Sequence, residues 1–154
     1  MEKIVGDLLR EKKFTIACAE SCTGGLLTSK LTDVAGSSSY VKGAIVSYTD
    51  EIKNKILQVK AETLEKFSAV SEETAREMSA NVRKIFAANI GVGVTGFAGP
   101  GGGNENFPVG TVFISVADEK NIAVKKFFFV GSRTEIKIQA VQAALKMIEE
   151  KITK

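Results

Sequence analysis

Phe14-Thr15-Ile16-Ala17-Cys18-Ala19-Glu20-Ser21-Cys22-Thr23-Gly24-Gly25 changes character partway along. Phe14 to Ala19 is short, apolar and partly β-branched, which reads as a buried strand. Glu20 to Gly25 is small and polar, and it turns into a helix whose last residues fall near Asp33. A strand that hands over directly to a helix is the building unit of open α/β sheets. Such sheets place their ligands at the carboxyl ends of the strands.

The flanking sequence extends this pattern. Upstream, Ile4, Val5, Leu8 and Leu9 recur at helical spacing, so residues 2–12 read as an amphipathic helix. Downstream, Gly36-Ser37-Ser38-Ser39 is a loop and Val41 to Tyr48 a second strand. Thr49 and Asp50 can cap a helix that runs to about Leu57. A short helix over 61–67 follows, and Ser71 caps a longer one with Glu72 and Glu73 in its first turn. Ile90 to Thr95 is a strand that leads into the glycine-rich stretch 96–103. Val109 to Ala117 and Ile122 to Val130 form an antiparallel pair turned at 118–121. Phe127-Phe128-Phe129 offers one face to the core. Ser132-Arg133-Thr134-Glu135 is a capping box for a last helix whose apolar face carries Ile136, Ala140, Ala143, Ala144, Met147 and Ile148. Strands alternating with helices, closed by one hairpin, give an α/β fold: three layers, α/β/α, around a mixed, mainly parallel sheet in a single domain over 1–154.

Composition narrows the chemistry. The chain has 154 residues, 44% hydrophobic and 25% charged, which suits one soluble domain with a real core. No apolar run approaches the roughly 20 residues of a membrane span, so no membrane partner is expected. The amino terminus lacks a signal-peptide pattern. Two cysteines cannot build a disulfide framework, so a cytoplasmic location is the simplest expectation. Twenty-one basic against eighteen acidic residues gives +3, too small a surplus to imply nucleic-acid binding. With no tryptophan and two tyrosines, stacking platforms for bases are scarce as well. The most restrictive number is zero histidines. It removes Ser-His-Asp triads, Cys-His dyads and His-ligated zinc, and leaves Lys, Asp, Glu, Tyr or Cys as the base.

Three segments can carry chemistry. In the first, Ser21 sits at a strand end. If the next helix begins near Cys22, its free N–H groups point at whatever lies beside the Ser21 hydroxyl, ready for a phosphate or an oxyanion. The same residues also suit a plain N-cap serine and glycines that permit close helix packing. In the second, Tyr48 ends a strand and Lys53 lies about one turn into the following helix, so both can face one cleft. A lysine beside a serine in a water-poor site can lose its proton and act as the base. Lys53 also reads as a solvated lysine like Lys55. The third is Thr95-Gly96-Phe97-Ala98-Gly99-Pro100-Gly101-Gly102-Gly103, where glycines let backbone N–H groups approach an anion. It is neither a P-loop nor a dinucleotide fingerprint. Arg133, at a helix start, suits a phosphate or carboxylate. Cys18 and Cys22 lack the Cys-x-x-Cys spacing, and read as a buried strand residue and a small helix-start residue.

Taken together, the segments resemble one family. Ala19-Glu20-Ser21-Cys22-Thr23-Gly24-Gly25, Gly36-Ser37-Ser38, Tyr48-x-x-Glu51-x-Lys53, Ala69-Val70-Ser71, Thr95-Gly96-x-Ala98-Gly99-Pro100-Gly101-Gly102 and Pro108-Val109-Gly110-Thr111-Val112 recur in order and at similar spacing. The match, from about residue 5 to residue 150, is similar to the carboxy-terminal domain of competence/damage-inducible proteins (CinA), the nicotinamide mononucleotide deamidase family. The resemblance implies hydrolysis of the carboxamide of nicotinamide mononucleotide to nicotinate mononucleotide and ammonia, within pyridine nucleotide recycling, with no metal or cofactor. It implies the stand-alone form of a domain that also occurs fused, and a homo-oligomer.

Position by position, it makes Ser21 the nucleophile and Lys53 the general base, with Tyr48 completing the polar set. Substrate contacts fall to Cys22, Thr23, Gly24, Thr95, Gly96, Gly99, Gly101 and Arg133, the last as a candidate for the phosphate. Ser37 or Ser38 could touch substrate, or compete with Ser21 as nucleophile. Three positions depart from the family pattern. Asp50 stands where asparagine is common, Ser132 where aspartate is common, and Phe107 where a basic residue is common. Two other functions fit the same residues: a non-catalytic nucleotide-binding module linked to competence or DNA damage, and an amidase of broader range.

Overall fold

The computed structural model describes residues 1–154. In chain order the elements are α1 (Glu2–Lys12), β1 (Ile16–Glu20), α2 (Leu26–Thr32), β2 (Val41–Val46), α3 (Asp50–Lys55), α4 (Ala61–Phe67), α5 (Glu72–Ile85), β3 (Ile90–Gly96), β4 (Thr111–Ala117), β5 (Ile122–Phe128) and α6 (Arg133–Thr153), with a 3-10 turn at Ser37–Ser39. The sheet order is β2-β1-β3-β4-β5. β1 runs parallel to both neighbours, with Cys18 beside Ala44 and Val92, while β3–β4 and β4–β5 are antiparallel. Four of the five strands therefore point the same way. The expected three-layer α/β arrangement is the one observed.

Every residue of β1 is buried, because strands flank it and helices cover both its faces. Alternation along the strand divides its side chains. Ile16 and Cys18 join the large cluster under α1, α2 and α6, while Ala17 and Ala19 face Leu57, Leu64, Met78 and Val82 on the other side. α5 lies very close to β3. A Cβ on Gly91 would run into the Ser79 carbonyl oxygen, and one on Gly93 would stand 2.8 Å from that of Ala75. α6 covers the opposite face and buries eight residues from Ile136 to Ile152, including Val141 and Leu145, which the sequence-derived stripe omits. Phe127 and Phe129 stack at 5.3 Å against the core, leaving Phe128 exposed.

The capping residues Thr49, Ser71 and Ser132 all act as read, and Ser132 forms the full capping box with Glu135. The helix after β1 differs from expectation. Ser21 to Gly25 are turn, and α2 begins only at Leu26. Gly24 and Gly25 occupy left-handed backbone at φ +60° and +102°, which side-chain-bearing residues rarely adopt. The helix's free amides are also taken. The Glu20 carboxylate accepts hydrogen bonds from the amides of Gly25, Leu27 and Thr28, at 3.2, 2.9 and 2.9 Å. The start of α2 is therefore closed by the protein's own carboxylate and is not the anion site that a helix starting near Cys22 would supply.

Candidate active site

The three parallel strands end on one side of the sheet, and the segments that follow them enclose a cleft of about 230 Å³. Ser21 and Cys22 come from the turn after β1, and Tyr48, Asp50 and Lys53 from the link into α3. Ala69 and Val70 precede α5, Thr95 and Gly96 end β3, Phe97 to Gly99 and Gly101 follow it, and Arg133 opens α6.

Lys53 is 1% exposed, unlike the exposed Lys55. α3 starts at the Thr49 cap, so the Lys53 side chain is carried back over the end of β1. Its Nζ stands 3.0 Å from Ser21 Oγ and 2.7 Å from the Ser47 carbonyl oxygen. Burial holds the ammonium below the ordinary lysine value, while the charges of Asp50 and Cys22 act in the opposite direction. A buried amine below its usual pKa, oriented by a carbonyl and in contact with a hydroxyl, is the arrangement of a serine activated by lysine. The sequence gives no sign of the Ser47 contact, because a main-chain carbonyl carries no residue type.

The other site residues divide. Thr95 is buried and donates to Ala69 O at 2.8 Å, tying the glycine loop to the segment before α5. Arg133 donates to Gly99 O at 2.7 Å and to the Tyr48 hydroxyl at 2.6 Å, joining three elements across the mouth. The guanidinium offered to a phosphate is thus already engaged with the protein. Tyr48 is 56% exposed and bonds Arg133, not Ser21 or Lys53. Cys22 lines the cleft, and burial pushes its thiol up to about 11, so it is a poor thiolate nucleophile.

Thr23 turns inward and donates its hydroxyl to Glu20 at 2.7 Å, and Gly24 faces Lys137 rather than the cleft. Ser37 and Ser38 do not join the site. They form the 3-10 turn before β2, at the amino ends of the parallel strands, whereas the cleft lies at the carboxyl ends. They share the composition of the Ser21 turn but precede a strand instead of following one. Backbone donors are available in the cleft: the amides of its lining residues Cys22, Ala98, Gly99 and Gly101 pair with no protein oxygen, and neither does that of Thr23, the residue after Cys22. Nowhere do three His, Cys, Asp or Glu side chains cluster as a metal would require.

Fold and cleft together define an α/β protein with a buried serine–lysine pair at the carboxyl ends of its parallel strands. The CinA C-terminal domain model matches residues 1–152, and the chain belongs to that family. A CinA-like protein of Flavobacterium psychrophilum is 46% identical over 154 residues, covering 100% of this chain and 37% of the relative. One from Cytophaga hutchinsonii is 52% identical over 126 residues, 82% of this chain and 30% of the relative. The chain thus spans about a third of the length of these relatives. A CinA superfamily protein from Klebsiella pneumoniae superposes with a TM-score of 0.96 at 34% identity, over 99% of this chain and 95% of that one. The competence/damage-inducible protein of Agrobacterium tumefaciens gives 0.93 at 36% identity, with the same two coverages. No helix is long and apolar enough to cross a membrane.

Proposed function

We propose that the chain is an amidohydrolase that converts nicotinamide mononucleotide and water to nicotinate mononucleotide and ammonia through Ser21 and Lys53. The observation that carries this reading is the buried Lys53 Nζ, 3.0 Å from Ser21 Oγ inside the cleft. The substrate follows from the likeness of the motifs to the deamidase family.

With Lys53 neutral, one of its N–H groups engages the Ser47 carbonyl and its lone pair is left for the Ser21 proton. Ser21 Oγ attacks the carboxamide carbon as Lys53 takes that proton. Free amides such as those of Cys22 and Thr23 meet the oxyanion, where a lost donor typically costs about 3–4 kcal/mol. The Lys53 ammonium returns its proton to the departing nitrogen, and ammonia leaves. Water then attacks the ester, with Lys53 again as base, and regenerates Ser21.

The test is ammonia release from nicotinamide mononucleotide by the purified protein with a chelator present. Ser21→Ala should abolish release while calorimetry still detects nucleotide binding. Full turnover by Ser21→Ala would exclude the acyl-enzyme route. Binding without any ammonia release from the unaltered protein would mark a nucleotide-binding module instead.

A further inference from the structure

Glu20 ends β1 fully buried, and no basic side chain pairs with it. Its Oε1 accepts from Thr23 Oγ1 at 2.7 Å and from the amides of Gly25 and Leu27. Its Oε2 accepts from the amide and the hydroxyl of Thr28, at 2.9 and 2.7 Å. All five donors lie between residues 23 and 28. On the other side, the Glu20 carbonyl accepts from Ser47 N, and Ser21 N donates to Val94 O. Ser21 and Cys22 are therefore a short span fixed at both ends, by the sheet before them and by the carboxylate clamp after them.

A buried carboxylate with no basic partner is an expensive way to cap a seven-residue helix that an ordinary polar cap would serve. Its placement makes sense through what it leaves undone. The amides of Gly24 and Leu26 are held by the Ser21 and Thr23 carbonyls, which leaves those of Cys22 and Thr23 as the two in this turn with no protein acceptor. We infer that Glu20 is a positioning residue, which fixes the turn so that the Ser21 hydroxyl stays on Lys53 and the Cys22 and Thr23 amides remain open to an oxyanion. The catalytic consequence rests on the amidase reading; the clamp itself does not.

Two variants test it. Glu20→Gln keeps the shape but turns a donor group toward donors. Thr28→Val removes one hydroxyl and keeps the charge. We expect Glu20→Gln to lower kcat by about tenfold or more with KM within about twofold, the pattern of an interaction made in the transition state. Thr28→Val should lower kcat by about two- to fourfold, again without a KM change. Site-resolved alkylation supplies a readout that needs no turnover. Cys22 is 6% exposed beside the clamp, so a turn released from it should uncover the thiol. Its alkylation should therefore quicken in both variants, and the quickening in Thr28→Val, whose charge is unchanged, reads the turn and not the ionisation of the thiol.

A folded Glu20→Gln protein with unaltered kcat, or a Thr28→Val protein whose Cys22 is alkylated no faster, would overturn the proposal. If that variant does not fold, Thr28→Val decides, and full kcat there overturns it. If the unaltered protein releases no ammonia, the amidase reading fails by itself, and Cys22 alkylation in Thr28→Val still decides whether the clamp governs the turn.

Discussion

Burial of Lys53 links chemistry to stability. The unfolded chain keeps that lysine protonated up to about its ordinary value of 10.5, while the native state releases the proton earlier. Between the lowered native pKa and the unfolded one, the unfolded state binds more protons, so stability rises with pH across that window. Lys53→Met should remove this rise and increase the thermal midpoint at neutral pH, while ending turnover; calorimetry over a pH series reads both midpoints. Asp50 lines the same cleft and pulls the Lys53 pKa upward. Asp50→Asn should therefore move the ascending limb of the rate–pH profile to lower pH, and an unmoved limb would argue against Lys53 as the base. Ser21 and Lys53 stand out in the sequence through the family motifs that carry them; the absence of histidine only narrows the base to Lys, Asp, Glu, Tyr or Cys. That Lys53 is buried and Lys55 is not could not be read, since both lie on one short polar helix. Ser37 and Ser38 entered through motif likeness, although a loop that precedes a strand lies at its amino end, away from the cleft.

Helix starts are legible when the cap is local. Thr49, Ser71 and Ser132 each accept from an amide three residues on, a pattern visible in the sequence. The start of α2 was not legible, because its amides are held by a glutamate at the end of the preceding strand, beyond any short-range capping rule. Ser132→Ala should cost about 1 kcal/mol of stability in urea titration. It should also loosen Arg133, the first residue of α6 and the link between Tyr48 and Gly99. The contact between α5 and β3 is stricter. A methyl at Gly91 meets backbone and cannot be relieved by a rotamer change, so Gly91→Ala should destabilise by about 1–3 kcal/mol or more.

The α/β class followed from alternating strand and helix signals. The strand order did not, because nothing in β1 states that residues 41–46 will lie on one side of it and 90–96 on the other. The cleft inherits this long-range character, drawing on residues near 21, 50, 70, 97 and 133. A chain ended at Gly131 would lose the eight buried residues of α6 and the Arg133 link, and should show no cooperative unfolding transition by circular dichroism. The hydrogen bond from Ser21 N to Val94 O has a consequence for synthesis. A ribosome-bound fragment that displays both the serine and the lysine still lacks the strand against which that serine is braced. The serine is thus set in place only once β3, and the glycine loop behind it, have emerged.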